Sequence, residues 1–216
     1  MKPPRIPPML STIVQAGLMA VDGVCFCELD ECPVCGGPVS GYDTRKKTFA
    51  LIRDENGERT ITVTVKRFYC RTCDRIYNAN EPFYPGTRIG SPVIDLCLTL
   101  AATMPPNRTA AYLDVMGVIV DRTSCRLYIR NHAREVPAND LFGIMMPTSV
   151  ISLSTVAARA SRRTPVKGAD VLFVCGFPSA DRAALLVSAA KKREEGDTKE
   201  SEERGVQESG HDRDAR

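Results

Sequence analysis

Four cysteines in two CxxC pairs are the residues whose type and spacing most clearly predict chemistry. Cys32 and Cys35 enclose Pro-Val, and Cys70 and Cys73 enclose Arg-Thr. Each CxxC turn can present two thiolates from one tight knuckle, and four thiolates satisfy the tetrahedral coordination that Zn²⁺ prefers. Because four cysteines leave no open position for water or a substrate, we expect a zinc ion that stabilises the fold and takes no part in a reaction.

Two alternatives to this assignment stay open in the sequence. Iron in a rubredoxin-like centre is one, because Cys-Pro-Val-Cys-Gly suits one knuckle of such a centre, whereas the second pair lacks the matching Pro or Gly. Cys25 and Cys27 could also compete as ligands or bind a second ion, although we interpret them as small apolar residues near the edge of the metal-binding unit. The other three cysteines have apolar neighbours and are expected in the core: Cys97, Cys125 and Cys175.

A regular series of arginines is the second feature that could do chemistry. The series has strict i, i+4 spacing: Arg122, Arg126, Arg130 and Arg134. In a helix each step of four residues drifts by about 40°, so the four guanidinium groups share one stripe about 120° wide. A basic helix face of this kind can contact DNA phosphates or base edges. Three polar residues could add hydrogen bonds to the same surface: Thr123, Ser124 and Asn131.

A further group of basic residues lies on either side of the predicted hairpin turn. Its members follow two predicted strands: Arg45, Lys46, Lys47, Lys66 and Arg67. A basic stripe is usually solvated surface, and Asp121 and Glu135 could pair with some of the arginines. Two neighbouring basic groups nevertheless favour nucleic-acid contact over a merely solvated surface.

The cysteine pairs are predicted to be joined by a β-hairpin. Residues 45–53 and 60–69 are extended candidates, and residues 60–65 alternate strictly between threonine and apolar side chains. Between them, Asn56-Gly57 can take the two positive φ values of a tight turn. Such a hairpin would bring the two CxxC pairs together, which predicts a zinc ribbon over residues 25–80.

The arginine series is predicted to lie on the last of three helices in residues 90–136. The first helix has Ser91 as its N-cap, and the second, over residues 108–116, has Asn107. Asp121 can cap the third, which runs to about residue 136. Three short helices with a basic last helix predict a helix-turn-helix unit, whose last helix enters the major groove of DNA.

The segments on either side of these two units are predicted from their composition. Residues 1–24 contain a short helix candidate, although their cationic start and apolar run also have the general form of a signal peptide. Residues 137–190 predict a small helical extension, with a helix or strand pair at 144–160. Residues 168–190 form either two short helices or a strand at 171–175 followed by a helix. Residues 191–216 hold seven basic and nine acidic residues and predict a disordered tail.

Length and composition exclude several classes of protein. The chain has 216 residues, of which 43% are hydrophobic, and a formal net charge of +3, so a core can form. No apolar run reaches about 18 residues, which argues against a membrane span. Nine cysteines, with four in CxxC pairs, indicate a reducing compartment, and we expect a cytoplasmic protein. The histidines are His132 and His211, and no nucleophile–base pair or phosphate-binding loop is evident, so neither an enzyme nor a small-molecule substrate is expected.

Residues 32–131 resemble the zinc-ribbon plus helix-turn-helix module at the front of many prokaryotic insertion-sequence transposases and their small DNA-binding partner proteins. The resemblance rests on CPVC, VKRFYCRTCDRIY, NRTAAYLDVMG and VDRTSCRLYIRN. It implies that the four CxxC cysteines bind the metal, and that Thr123 and Arg126 stand at the start of the recognition helix.

The resemblance implies DNA binding without DNA cleavage. A full transposase continues into a catalytic domain with three separated carboxylates for two metal ions. Here the only acids between Pro137 and the tail are Asp140, Asp170 and Asp181, and no room remains for such a domain. We therefore expect an α+β protein that binds zinc and double-stranded DNA, as a transcriptional regulator or a transposon-derived recognition protein, alone, as a homodimer or with a protein partner. The alternatives are a protein-interaction adaptor whose ribbon docks a partner, and an iron electron carrier.

Overall fold

The computed structural model describes residues 6–132, 134–160 and 165–177, and within those ranges the chain is a mixed α+β fold with six helices and two β-sheets. The helices are α1 (Pro8–Met19), α2 (Ser91–Ala101), α3 (Pro106–Val115), α4 (Arg122–Asn131), α5 (Thr148–Ala160) and α6 (Gly168–Val174). The strands are β1 (Cys25–Phe26), β2 (Val39–Asp54), β3 (Gly57–Cys70), β4 (Arg75–Asn78), β5 (Ala138–Leu141) and β6 (Ile144–Pro147). The predicted α+β class is confirmed, and the predicted disordered tail at 191–216 lies outside the described residues.

The hairpin of β2 and β3 is longer than the sequence predicted. The antiparallel pairing runs from Val39 opposite Cys70 to Asp54 opposite Gly57. Strand β1 pairs parallel with β3, and β4 pairs antiparallel with the last residues of β3.

The prediction of two positive φ values in the hairpin turn is wrong at Asn56. In the described chain the non-glycine residues with positive φ are Asp74 and Phe142. Gly57 has φ +112°, and Asp54 Oδ1 accepts a hydrogen bond of 2.7 Å from Asn56 N, which together close the turn.

A single apolar core joins the hairpin to the helices. Phe49 and Ile61 of the hairpin and Leu10 of α1 are fully buried, and the same cluster continues into α2, α3, α4, α5 and α6. Each such side chain contributes roughly 1.5–3 kcal/mol when it leaves water. A Cβ atom on Gly17 would lie 3.0 Å from Ser154 N, so α1 packs closely against α5. The short helix predicted near the N-terminus is therefore present as α1.

The predicted N-caps of α2 and α3 are wrong, whereas that of α4 is confirmed. Gly90 is the N-cap of α2, and Ser91 lies inside the helix. Pro105 is the N-cap of α3, because its fixed φ suits the residues that enter a helix, and Asn107 lies in the first turn. Asp121 accepts hydrogen bonds of 2.9 Å from both Thr123 N and Ser124 N at the start of α4.

The last helix of this group is shorter than predicted. Helix α4 ends at Asn131, five residues before the predicted end at residue 136. Arg134 therefore lies outside the helix, where its guanidinium group stands 4.5 Å from the ring centroid of Tyr84. The helical arginine series consequently has three members and not four.

The segment after α4 begins with a strand pair that precedes two helices, so the predicted helical extension is helical only in part. Strands β5 and β6 pair as an antiparallel hairpin, with Phe142 at φ +59° and Gly143 at φ +77° in its turn. Helix α5 follows directly and carries Val150 and Leu153 into the core. Residues 168–174 form helix α6 and no strand, and the remainder of the predicted extension, residues 178–190, lies outside the described part of the chain.

Candidate metal centre and the basic face of helix α4

The two CxxC pairs meet at one end of the hairpin. Cys32 Sγ lies 3.6 Å from Cys73 Sγ, and Cys35 Sγ lies 3.5 Å from Cys70 Sγ. All four sulfur atoms lie within 4.8 Å of one another. A tetrahedron with zinc–sulfur bonds of about 2.3 Å has edges of about 3.8 Å, so this spacing fits a tetrathiolate metal ion. The prediction that the hairpin brings the two pairs together is confirmed.

Backbone conformation explains how the first knuckle folds around its sulfur atoms. Gly36 has φ +65°, and its N–H donates a 2.9 Å hydrogen bond to Cys32 O. Cys32 N in turn donates to Gly37 O at 3.0 Å. A Cβ atom on Gly37 would lie 2.5 Å from Thr72 Oγ1, so this position must stay small for the two knuckles to touch.

The second knuckle reaches a similar conformation without glycine. Asp74 follows Cys73 as Gly36 follows Cys35, and it also adopts a positive φ, of +53°. Aspartate visits this region more readily than most residues. Its Oδ1 atom accepts a hydrogen bond of 2.5 Å from the Tyr69 hydroxyl, which holds the side chain in place.

The cysteine thiols differ strongly in acidity when no ion lies between them. Burial raises the pKa of Cys32, but backbone N–H groups of its own knuckle outweigh burial and bring that pKa to about 6. The N–H of Gly37 lowers the pKa of Cys35, yet the neighbouring thiols and burial raise it to about 12. Four thiolates so close together repel one another, and a divalent soft cation removes that repulsion. The donor set and its spacing therefore suit a metal ion such as zinc.

Tyr77 is a neighbour of the cysteines that sequence reasoning missed. Its hydroxyl oxygen lies 3.5 Å from Cys73 Sγ. Tyr77 belongs to β4 and pairs with Phe68 of β3, so the short strand positions the hydroxyl group beside the second knuckle. The available signal was an aromatic residue four positions after the last cysteine.

The remaining cysteines lie outside this cluster. Cys97, Cys125 and Cys175 are buried, which confirms their predicted place in the core. Cys25 and Cys27 are both exposed, and neither belongs to the group of four.

Three arginines share the outer face of α4. Arg122, Arg126 and Arg130 are exposed, as are the neighbouring Thr123 and Asn131, and Ser124 is half-buried. None of the three arginines forms an ion pair with any described residue. Arg126 Nη2 donates a 2.9 Å hydrogen bond to Asn107 Oδ1 of α3, and Arg130 Nε lies 3.4 Å from Asn131 Oδ1.

Two basic residues of the hairpin form ion pairs that the sequence did not predict. Lys47 Nζ lies 2.8 Å from Glu81 Oε2 and 4.1 Å from the ring centroid of Phe83. Arg67 pairs with Asp43 through two nitrogen–oxygen contacts, of which the Nε–Oδ1 distance is 2.6 Å.

Two other hairpin lysines differ from Lys47 and Arg67 because they form no ion pair with a described residue. Lys46 is exposed, and Lys66 is half-buried with its ammonium 5.1 Å from the Phe68 ring centroid. Among the described residues neither forms an ion pair. Lys46 and Lys66 therefore keep their charges available to a ligand, whereas Lys47 and Arg67 do not.

A buried carboxylate lies behind α4. Asp95 of α2 is 2% exposed, and it accepts hydrogen bonds from the Tyr84 hydroxyl at 2.6 Å and from Ser149 Oγ at 2.8 Å. Burial raises its pKa. Ser149 lies 54 residues away along the chain, so the sequence gave no sign of this contact. The group links α2 to the loop before it and to α5.

Comparison with known proteins found no matching family model, curated protein or solved structure. None of the described helices is long and apolar enough to cross a membrane. The fold and the site thus define an α+β protein with a candidate tetrathiolate metal centre.

Proposed function

We propose that this protein is a zinc-stabilised DNA-binding protein in which the face of α4 contacts double-stranded DNA. The observation that carries the proposal is the set of three exposed arginines on α4, which have no acidic partner among the described residues: Arg122, Arg126 and Arg130. The protein would serve as a transcriptional regulator or as a transposon-derived recognition protein, without cleavage activity.

The packing of α4 supports this role. Helices α2, α3 and α4 contact one another, and Cys125 on the inner face of α4 is fully buried. Asp121 fixes the first turn, and an N-cap of this kind contributes about 1 kcal/mol. The arginine face is therefore held on a rigid element, as the proposed helix-turn-helix unit requires.

The chemistry of the face also suits DNA. A guanidinium group can donate two parallel hydrogen bonds to a phosphate or to the O6 and N7 atoms of guanine. Leu127, between the arginines, is 43% exposed and offers an apolar contact of the kind that thymine methyl groups accept. Lys46 and Lys66 of the hairpin form a further basic surface for phosphates. In this proposal zinc supplies only the rigid frame of the hairpin end.

The salt dependence of binding tests the proposal. The full chain is titrated into a labelled mixed-sequence duplex, and fluorescence anisotropy is measured at several salt concentrations. We expect a log–log slope of about −3 or steeper, since each neutralised phosphate releases counterions. Arg126→Ala should weaken binding and make the slope shallower by about 1, with little change in thermal stability.

The control for Arg126→Ala is Arg59→Gln, which removes an equally exposed positive charge that already pairs with Asp22 at 2.7 Å. It should leave the slope unchanged. Absence of binding at low salt, with one zinc per chain measured, would contradict the proposal. A collapse of stability in Arg126→Ala would instead make that arginine a structural residue.

The second candidate function is a protein-interaction adaptor. It is favoured by apolar side chains beside the knuckles, because Val34 is 66% exposed and Ile76 is 42% exposed. Such side chains suit the docking of a protein partner better than the docking of a phosphate backbone. A zinc-loaded chain that ignores DNA would make this the leading function, and a red colour would instead identify a ferric tetrathiolate electron carrier.

A further inference from the structure

Cys25 and Cys27 point away from the core. Between them, Phe26 is 1% exposed and belongs to the core, whereas both cysteines are exposed. Side chains alternate along a strand, so Cys25 faces outward where Phe26 faces inward. Cys27 follows directly after the strand, and its thiol is exposed as well. This pair is separate from the four cysteines of the candidate metal centre.

A lysine of the neighbouring strand stands beside the pair. Strand β1 is parallel to β3, with Cys25 opposite Thr64 and Phe26 opposite Val65. Lys66 lies two residues after Thr64 and therefore on the same outer face. Burial and the Cys27 thiol raise the pKa of Cys25, and the charge of Lys66 acts in the opposite direction. Both side chains are thus within electrostatic reach of Cys25.

We propose that Cys25 and Cys27 form a second thiol site that chelates a soft, thiophilic metal or metalloid ion. Soft ions select thiolate ligands over oxygen and nitrogen. Two thiolates around one ion leave excess negative charge, which the ammonium group of Lys66 offsets. The site requires no residue of the four-cysteine centre and does not depend on DNA binding.

The spacing of the pair favours an ion over a disulfide. Two residues along a strand separate Cα atoms by about 6.4–6.8 Å. That separation is at the upper limit for a disulfide, whose Cα atoms usually lie about 4.4–6.8 Å apart. Two metal–sulfur bonds of about 2.3 Å span a longer gap between the sulfur atoms than one sulfur–sulfur bond does.

A monosubstituted trivalent arsenical, phenylarsine oxide, is a suitable probe because it forms a stable product with two nearby thiols. The arsenic–oxygen double bond is replaced by two arsenic–sulfur bonds, and the two thiol protons leave with the oxygen as one water molecule. Arsenic stays trivalent, so neither an oxidant nor a reductant is needed.

The experiment treats the full, zinc-loaded chain with one equivalent of the arsenical and measures the adduct by intact mass. Zinc release is followed with a colorimetric chelator. We expect one adduct per chain with zinc retained. Cys25→Ser and Cys27→Ser should each lower the affinity roughly 10²–10⁴-fold, because the second thiol then no longer acts intramolecularly.

Cys175→Ser is the matched control, since it also removes one thiol but from a buried position. It should keep the full adduct. The proposal is overturned if both surface variants bind the arsenical as the wild type does, or if adduct formation releases an equal amount of zinc. The proposal is also overturned if Cys175→Ser loses the adduct as strongly as Cys25→Ser and Cys27→Ser do.

Discussion

Tyr77 shows how one side chain can control the candidate metal centre without binding the metal. Its hydroxyl oxygen lies 3.5 Å from Cys73 Sγ, within reach of a hydrogen bond to sulfur. A hydroxyl that donates to a metal-bound thiolate stabilises the negative charge on the sulfur and makes it less open to attack by protons or competing ions.

We predict that Tyr77→Phe loses zinc to a chelator faster, by about 10–100-fold, with the fold unchanged. The measurement is the rate of zinc transfer to a colorimetric chelator, with circular dichroism as the check on the fold. Tyr42→Phe serves as the control, because Tyr42 is 58% exposed on β2 and the substitution keeps its ring. Equal rates in Tyr77→Phe and the wild type would show that the hydroxyl does not support the sulfur.

Some residues of the candidate metal centre were predictable from the sequence, and others were not. The four cysteines were predictable because their spacing alone defines the knuckles, and Gly36 matched the positive φ that such a turn needs. Asp74 has the equivalent position in the second knuckle, at φ +53°. An aspartate only weakly predicts a positive φ. The contact of the Tyr77 hydroxyl with Cys73 depends on the pairing of β4 with β3, which the sequence did not predict.

Among the elements, local patterns were predicted well and long-range pairings poorly. The β2–β3 hairpin followed from alternation and a turn sequence, both of which act over a few residues. Strand β5 was missed, whereas a helix or a strand pair was left open for the apolar run from Ile144 onward, because such a run suits both. The turn that pairs β6 with β5 has positive φ at Phe142 and Gly143, and phenylalanine gives no signal for that conformation.

The contact between α2 and α5 through Asp95 makes a pH-dependent prediction. Burial raises the folded-state pKa of Asp95 above its usual value of 3.8. The stability that this group contributes is therefore fully present below pH 3.8 and is lost as pH rises through the folded pKa. Asparagine does not titrate and can still accept a hydrogen bond, so Asp95→Asn should lack this loss.

We accordingly expect the unfolding free energy of the wild type, relative to that of Asp95→Asn, to fall as pH rises above 3.8. Denaturant unfolding at several pH values measures the difference. Asp30→Asn, at an exposed position before the first knuckle, controls for the loss of one negative charge. A difference that stays constant with pH would show that folding does not shift the pKa of Asp95, and one that grows in favour of the wild type would show that Asp95 is stabilised as a carboxylate.

At the scale of the molecule, the described residues combine a large core with an end of the hairpin that lies largely outside it. Residues 49–65 of the hairpin contribute Phe49, Ile52 and Ile61 to the same core as the helices. Towards the knuckles, by contrast, residues 40–46 of β2 are all exposed. Apolar burial therefore stabilises the half of the hairpin near its turn. In the other half Phe68 of β3 reaches the core but no residue of 40–46 does, so the metal must supply much of the stability there. Structural zinc supplies roughly 10–16 kcal/mol of apparent binding free energy, which is ample for this task.

Removal of the metal should consequently unfold part of the molecule and not all of it. Cys70→Ser is expected to lose zinc and to lose amide-exchange protection in residues 39–44 and 66–78, because Phe68 is the one buried member of the hydrophobic core among them. Protection in α1 and α5 should stay close to that of the wild type, since those helices pack on the core. Cys27→Ser is the control, as it removes a cysteine outside the cluster and should keep both zinc and protection. If α1 and α5 lose protection together with the knuckles, the metal stabilises the entire fold, and the two halves of the hairpin are one cooperative unit.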